Sequence, residues 1–180
     1  NKTRNPKVKG LNQFVNNVVY NWGGGGGYIM GDSEGDSWAI VEENYFIGGP
    51  NSSGTSAFTR GTQTFQIYQK NNFIDSDRNG QMNGTLATTE ADGSFYGSKA
   101  VASPTSFTNL PQPFPEILQK APAKDAYDSI VKSVGASYPS HDDVDKFMIA
   151  ELTSLGAKGE IISDEAALGI ANVVGDFKSG

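Results

Sequence analysis

Three stretches of the chain align on an asparagine: Phe14-Val-Asn-Asn17-Val-Val-Tyr20, Val41-Glu-Glu-Asn44-Tyr-Phe-Ile47 and Gln69-Lys-Asn-Asn72-Phe-Ile-Asp75. The aligned asparagines are 27 and 28 residues apart, and apolar or aromatic residues follow each of them. Short alternating or apolar runs precede them, among them Trp38-Ala-Ile-Val41 and Phe65-Gln-Ile-Tyr68. Runs of this length and pattern predict β-strands rather than helices. A strand repeat with asparagine at one fixed place suggests a parallel β-helix, in which equivalent residues stack from one turn of chain to the next. A stacked asparagine satisfies turn backbone groups and its neighbour together, while stacked apolar side chains fill the interior. The alternative is three unrelated asparagine turns in an antiparallel sandwich, because asparagine is also a common turn residue.

Glycine-rich loops separate the repeats. Gly23 to Gly27 is a run of five glycines, and Gly48-Gly-Pro50 and Asn79-Gly80 mark further turns. The run lacks dinucleotide or P-loop spacing and no helix signal follows it, so it predicts a flexible loop between strands. Past residue 100 the texture changes. Pro104, Pro111, Pro113, Pro115 and Pro122 predict an extended connector. Ala126, Tyr127, Ile130, Val131 and Val134 then recur at helical spacing, and Gly135 is a natural stop. A second helix is predicted behind a capping box over Ser140 to Asp143. Its apolar face is Val144, Phe147, Met148, Leu152 and Leu155, with a stop at Gly156. The predicted organisation is therefore residues 1–100 as strands and loops, and residues 101–180 as a connector and a helical extension packed on them.

Composition narrows the function classes. The chain has 180 residues, 22 glycines and no cysteine, which removes disulfides, cysteine-ligated zinc and thiol nucleophiles. No apolar run approaches membrane-spanning length. A net charge of −6 argues against a nucleic-acid partner. The charge is uneven, however: Lys2, Arg4, Lys7 and Lys9 crowd the start, and the first acid is Asp32. Such a cluster suits an anionic ligand, although it also describes a solvated basic segment. Asn1 is not an initiator methionine, so the expectation is a processed chain or a piece of a longer one. Sequons stand at Asn1, Asn51 and Asn83.

Other chemistry-bearing residues read less sharply. His141 is the only histidine and sits at a predicted helix start, with no nucleophile-elbow motif to pair with it. Asp75-Ser-Asp77-Arg-Asn79-Gly80 matches the first half of a calcium loop, but Leu86 stands where the closing acid belongs. Tight turns use the same residue types.

The segment Thr3-Arg4-Asn5-Pro6-Lys7-Val8-Lys9-Gly10, followed by Phe14 to Gly23, resembles polysaccharide lyase family 1, the pectate lyases. That family carries an Arg-x-Pro-x-x-Arg motif, then a strand ending in Asn-Asn and then Tyr. Further likeness runs through Glu43 to Phe46 and Gly49-Pro50. It continues in Ala123 to Tyr127, Val134 to Ala136, His141 to Asp145 and Gly159 to Ser163, and is patchy between about 76 and 115. The resemblance implies an all-β, right-handed parallel β-helix with a C-terminal extension containing two short helices. It implies a secreted enzyme that cleaves polygalacturonate, an acidic polysaccharide, by β-elimination. Arg4 takes the place of the catalytic arginine and Pro6 that of the motif proline, with Lys7 nearby as a substrate-binding cation. Lys9 stands where the second arginine belongs, keeping the charge but losing the planar fork that grips a carboxylate. Asn17, Asn44 and Asn72 are the structural stack.

The elimination removes the proton on C5, α to a carboxylate, so nearby cations stabilise the enolate-like transition state. An arginine is ordinarily protonated. A base role therefore needs neighbouring cations, or Arg4 acts as an electrostatic stabiliser beside another base. The resemblance also implies calcium, with its ligands expected mainly upstream of residue 1, and a companion N-terminal chain supplying the missing strands. A non-catalytic β-helix that binds the same polysaccharide is the alternative reading.

Overall fold

A computed structural model of the chain describes residues 2–31, 34–52, 56–62, 64–87, 101–102, 111–135, 137–138 and 140–162. Pro104 of the expected connector lies outside them, as does Asn1. Strands dominate the first part: β1 (Leu11–Val15), β2 (Val18–Tyr20), β3 (Tyr28–Ile29), β4 (Ser37–Glu42), β5 (Tyr45–Ile47), β6 (Phe58–Thr59), β7 (Phe65–Lys70), β8 (Phe73–Asp75), β9 (Thr85–Leu86) and β10 (Val101–Ala102). Two helices follow, α1 (Ala123–Ser133) and α2 (Asp143–Thr153).

Strands β1 to β8 enter three sheets in rotation. The first sheet has the order β1-β4-β7-β10, the second β2-β5-β8-β9 and the third β3-β6. Every described pairing is parallel except β8 with β9, which excludes the antiparallel sandwich. The register follows the sequence repeat. Leu11 lies beside Trp38 and Val18 beside Tyr45, 27 residues on, while Ser37 lies beside Phe65 and Tyr45 beside Phe73, 28 residues on. The first sheet gains its fourth strand at Val101–Ala102, just beyond residue 100.

Each strand turns one set of residues inward. Val19, Phe46 and Ile74 share one register position in the second sheet, and Tyr28 and Phe58 share one in the third. With Trp22, Met30, Ala39, Val41, Phe65 and Ile67 they make the main core. Aromatic rings meet edge on or tilted there, Phe46 on Phe58 at 5.1 Å and Tyr28 on Phe58 at 5.5 Å. Each fully buried aromatic of this kind contributes roughly 1.5–3 kcal/mol. A polar pair borders this core: the Tyr28 hydroxyl donates to Asn12 Oδ1 at 2.5 Å, and burial pushes that phenol's pKa well up.

The helices cover the outer side of the second sheet. Tyr45 and Ile47 are buried there against Ala123 and Tyr127, with Val18, Tyr20, Phe73, Val131, Leu152 and Leu155 around them. A carboxylate from the strand region helps seat α1. Glu43 Oε2 accepts from the Ala123 N–H at 3.1 Å, at a helix end whose own cap position, Pro122, offers no side-chain cap. The connector lies along β1, where Asn16 exchanges hydrogen bonds with both the N–H and the C=O of Ala121.

Three local readings are corrected. The N-cap of α2 is Asp142, whose side chain accepts from the Asp145 N–H at 2.8 Å, so the Ser140 capping box is not used. Met148 is 53% exposed rather than part of the buried face. Within the glycine run Gly24 is open, whereas Gly23 and Gly26 are packed tightly. A Cβ at Gly23 would stand 2.4 Å from the Lys2 carbonyl oxygen, and one at Gly26, where φ is +102°, would stand 2.5 Å from Thr59 Oγ1.

Candidate functional site

The asparagine stack holds the strand turns at fixed height. Asn17 Nδ2 donates to Asn44 Oδ1 at 3.2 Å, and Asn44 Nδ2 donates to Asn72 Oδ1 at 2.8 Å. The same oxygens accept backbone N–H groups: Asn17 N–H to Asn44 and Asn44 N–H to Asn72. Asn44 and Asn72 are completely buried. Unpaired polar groups at that depth cost free energy, so the stack joins one turn of chain firmly to the next.

The basic segment borders the third sheet. Ile29 N–H donates to the Pro6 carbonyl at 2.9 Å and Val8 N–H donates to the Ile29 carbonyl at 3.0 Å, so Pro6 to Val8 runs parallel beside β3. The Asn5–Pro6 peptide is cis. Arg4 precedes this pairing at φ 63° with an exposed side chain, and Lys7 is exposed on the paired stretch itself. Lys9 is half-buried, and its ammonium donates to the Gly35 carbonyl at 2.7 Å, between the exposed acids Glu34 and Asp36. Arg4 and Lys7 are thus both exposed at this sheet border, whereas Lys9 is engaged with the loop before β4.

Arg60 joins this border from two turns of chain away. A Cβ on Gly25 would lie 3.2 Å from Thr3 Oγ1 and 3.8 Å from Arg60 Nη2, so the exposed Arg60 guanidinium and Thr3 both border Gly25. Sequence reasoning missed it because a single arginine after Phe58-Thr59 carries no motif. Its signal is positional: Lys7 pairs with Ile29 and Ile29 with Thr59, which puts Arg60 one residue past the same stack.

No protein-family model matches the chain, and no solved structure matches it significantly. Curated proteins do. The chain is 49% identical over 169 residues to the "Probable pectate lyase C" of Aspergillus terreus, covering 94% of this chain and 38% of that protein. It is 48% identical over 169 residues to the same-named protein of Neosartorya fischeri. The match to the protein of that name from Aspergillus flavus is 44% identical over all 180 residues and covers 40% of it. The chain is a homologue of fungal proteins named pectate lyase C. It spans about two fifths of their length.

Among the described residues, no three His, Cys, Asp or Glu side chains gather as a metal centre. The calcium-loop look-alike closes on itself. Asp77 accepts from the Asn79 backbone and side chain and from Asn83 Nδ2, and Asn79 Oδ1 accepts from Gln81 N–H. Asp75 is 2% exposed and accepts from Asn83 N–H at 3.2 Å and from the Tyr45 hydroxyl at 3.5 Å. Burial raises its carboxyl above the usual 3.8, with the Asp77 charge adding to the shift and the Asn83 N–H opposing it. These oxygens hold their own loop together. His141 is occupied too: its Nε2 pairs with the Val134 carbonyl at 2.8 Å, tying the segment before α2 to the end of α1.

Proposed function

We propose that this chain is part of a secreted pectate lyase, cleaving α-1,4-polygalacturonate by β-elimination on a right-handed parallel β-helix. The observation that carries the reading is the similarity over 94–100% of the chain to fungal proteins named pectate lyase C. The rotation of strands through three sheets and the buried asparagine stack support the β-helix. Among the described residues no helix is long and apolar enough to cross a membrane.

In the reaction, the Arg4 guanidinium faces the C5 proton and the adjoining carboxylate of a bound galacturonate. It takes that proton or stabilises the enolate-like charge while another group takes it, and the glycosidic oxygen leaves from C4. Lys7, exposed beside it, neutralises a carboxylate of the polymer. The resemblance implies calcium as a further neutralising charge, with ligands on strands that precede the Arg4 motif.

A non-catalytic polysaccharide-binding role is the second reading. The engagement of Lys9 with Gly35 favours it, because that cation is drawn from the place of the second arginine. Arg4→Ala in the full-length protein separates the two. The lyase reading expects formation of unsaturated product to fall about a hundredfold or more, with folding unchanged by circular dichroism. Retention of more than about half the activity removes Arg4 from the transition state.

A further inference from the structure

We propose that Asn83 carries an N-linked glycan, an inference that rests on the extracellular reading above. Asn83-Gly84-Thr85 is a complete sequon within the described residues, on the loop that leads from β8 into β9. Its three residues face differently. Gly84 is pressed onto the wall: a Cβ there would stand 2.8 Å from the Tyr45 hydroxyl and 2.9 Å from Asp75 Cβ, and its N–H donates to that hydroxyl at 3.0 Å. Asn83 and Thr85 on either side are exposed. The sequon is thus anchored by its centre, with the acceptor and the hydroxyl residue turned to solvent.

The folded loop tolerates the modification. Asn83 Nδ2 donates one hydrogen bond, to Asp77 Oδ2 at 3.1 Å, and the backbone N–H of Asn83 is held by Asp75. A glycosylated amide keeps one N–H, the number that the single bond to Asp77 requires. The sugar would extend over β9, a two-residue strand exposed along its length, where Leu86 is 50% exposed. Covering an outer strand in this way also discourages pairing with other chains. Asn51 offers a contrast. Its Oδ1 accepts from Asn21 Nδ2 and from the Ile161 N–H, and its own N–H donates to Asn21 Oδ1, so that side chain clamps a later segment onto the fold.

The transfer is balanced by a lipid-diphosphate-linked oligosaccharide as donor. The N–C bond forms between Asn83 Nδ2 and the anomeric carbon of the first sugar. The bond from that carbon to the phosphate oxygen breaks, lipid diphosphate leaves, and one amide proton is released.

The test uses the protein secreted by a filamentous fungal host. Peptides from the culture medium are treated with N-glycosidase in heavy-oxygen water and sequenced by mass spectrometry. Asn83 is expected as labelled aspartate, the intact mass is expected to drop on Asn83→Gln and on Thr85→Ala, and Thr85→Ser is expected to keep the glycan. Secreted protein with unmodified Asn83, or a Thr85→Ala variant of unchanged glycan mass, overturns the proposal while leaving secretion standing. Absence of the protein from the medium overturns the extracellular reading and this inference with it.

Discussion

Asn44→Ala is expected to be among the most damaging single changes in the strand region. The Asn44 side chain is completely buried and makes four hydrogen bonds. It accepts from the Asn17 backbone at 2.8 Å and side chain at 3.2 Å, and donates to the Phe14 carbonyl and Asn72 Oδ1, both at 2.8 Å. Two partners retain a second contact after truncation: Asn17 Nδ2 still reaches the Val15 carbonyl, and Asn72 Oδ1 still accepts the Asn44 N–H. The Asn17 N–H loses its acceptor outright. One orphaned donor at about 1–3 kcal/mol and three weakened bonds at about 0.5–1.5 kcal/mol each give a loss of about 2.5–7.5 kcal/mol. Asn17, half-buried at the end of the stack, should lose less when truncated, about 1–2 kcal/mol. Urea unfolding by circular dichroism measures both, with the slope expected unchanged. A loss under about 1 kcal/mol for Asn44→Ala would refute the stack as a stabilising element.

Two further changes probe the helical cover and the buried carboxyl. Glu43→Ala removes the acceptor for the first N–H of α1 and a partner of Asn71 Nδ2, and should cost about 1 kcal/mol, read by urea unfolding; an unchanged midpoint contradicts the capping role. Asp75→Asn tests the buried carboxyl through pH. A carboxyl whose folded pKa is raised stabilises fully below its unfolded value and loses that contribution as pH rises through the folded one. The parent protein should therefore lose stability relative to Asp75→Asn as pH climbs past the usual 3.8, and a difference independent of pH would be contrary.

The repeat was legible because stacking is strict. A shift of one residue would turn Val19, Phe46 and Ile74 out of the core, so the 27- and 28-residue spacing in the sequence reappears as the pairing register. Both helices were legible from their apolar period, α1 burying Ala126 and Tyr127 and α2 half-burying Val144, Phe147 and Leu152. The α2 cap was not, because Ser140, Asp142 and Asp143 are all competent caps and only tertiary position chooses among them. Glu43 and Arg60 were missed for a shared reason: each acts on residues far along the chain, and no local pattern marks it. The glycine run misled in the opposite sense. Composition reads such a run as freedom, but here the missing side chains let the Lys2 backbone and Thr59 approach.

The central claim, that the protein breaks polygalacturonate by elimination, is tested most directly by the product. Polygalacturonate is incubated with calcium and the full-length protein of which this chain is a part, and ultraviolet absorbance and product mass are followed together. Elimination predicts rising absorbance from a C4–C5 double bond, with oligomers lighter by one water than hydrolytic products. Cleavage to saturated oligomers without absorbance, or binding of the polymer with no cleavage, would contradict it.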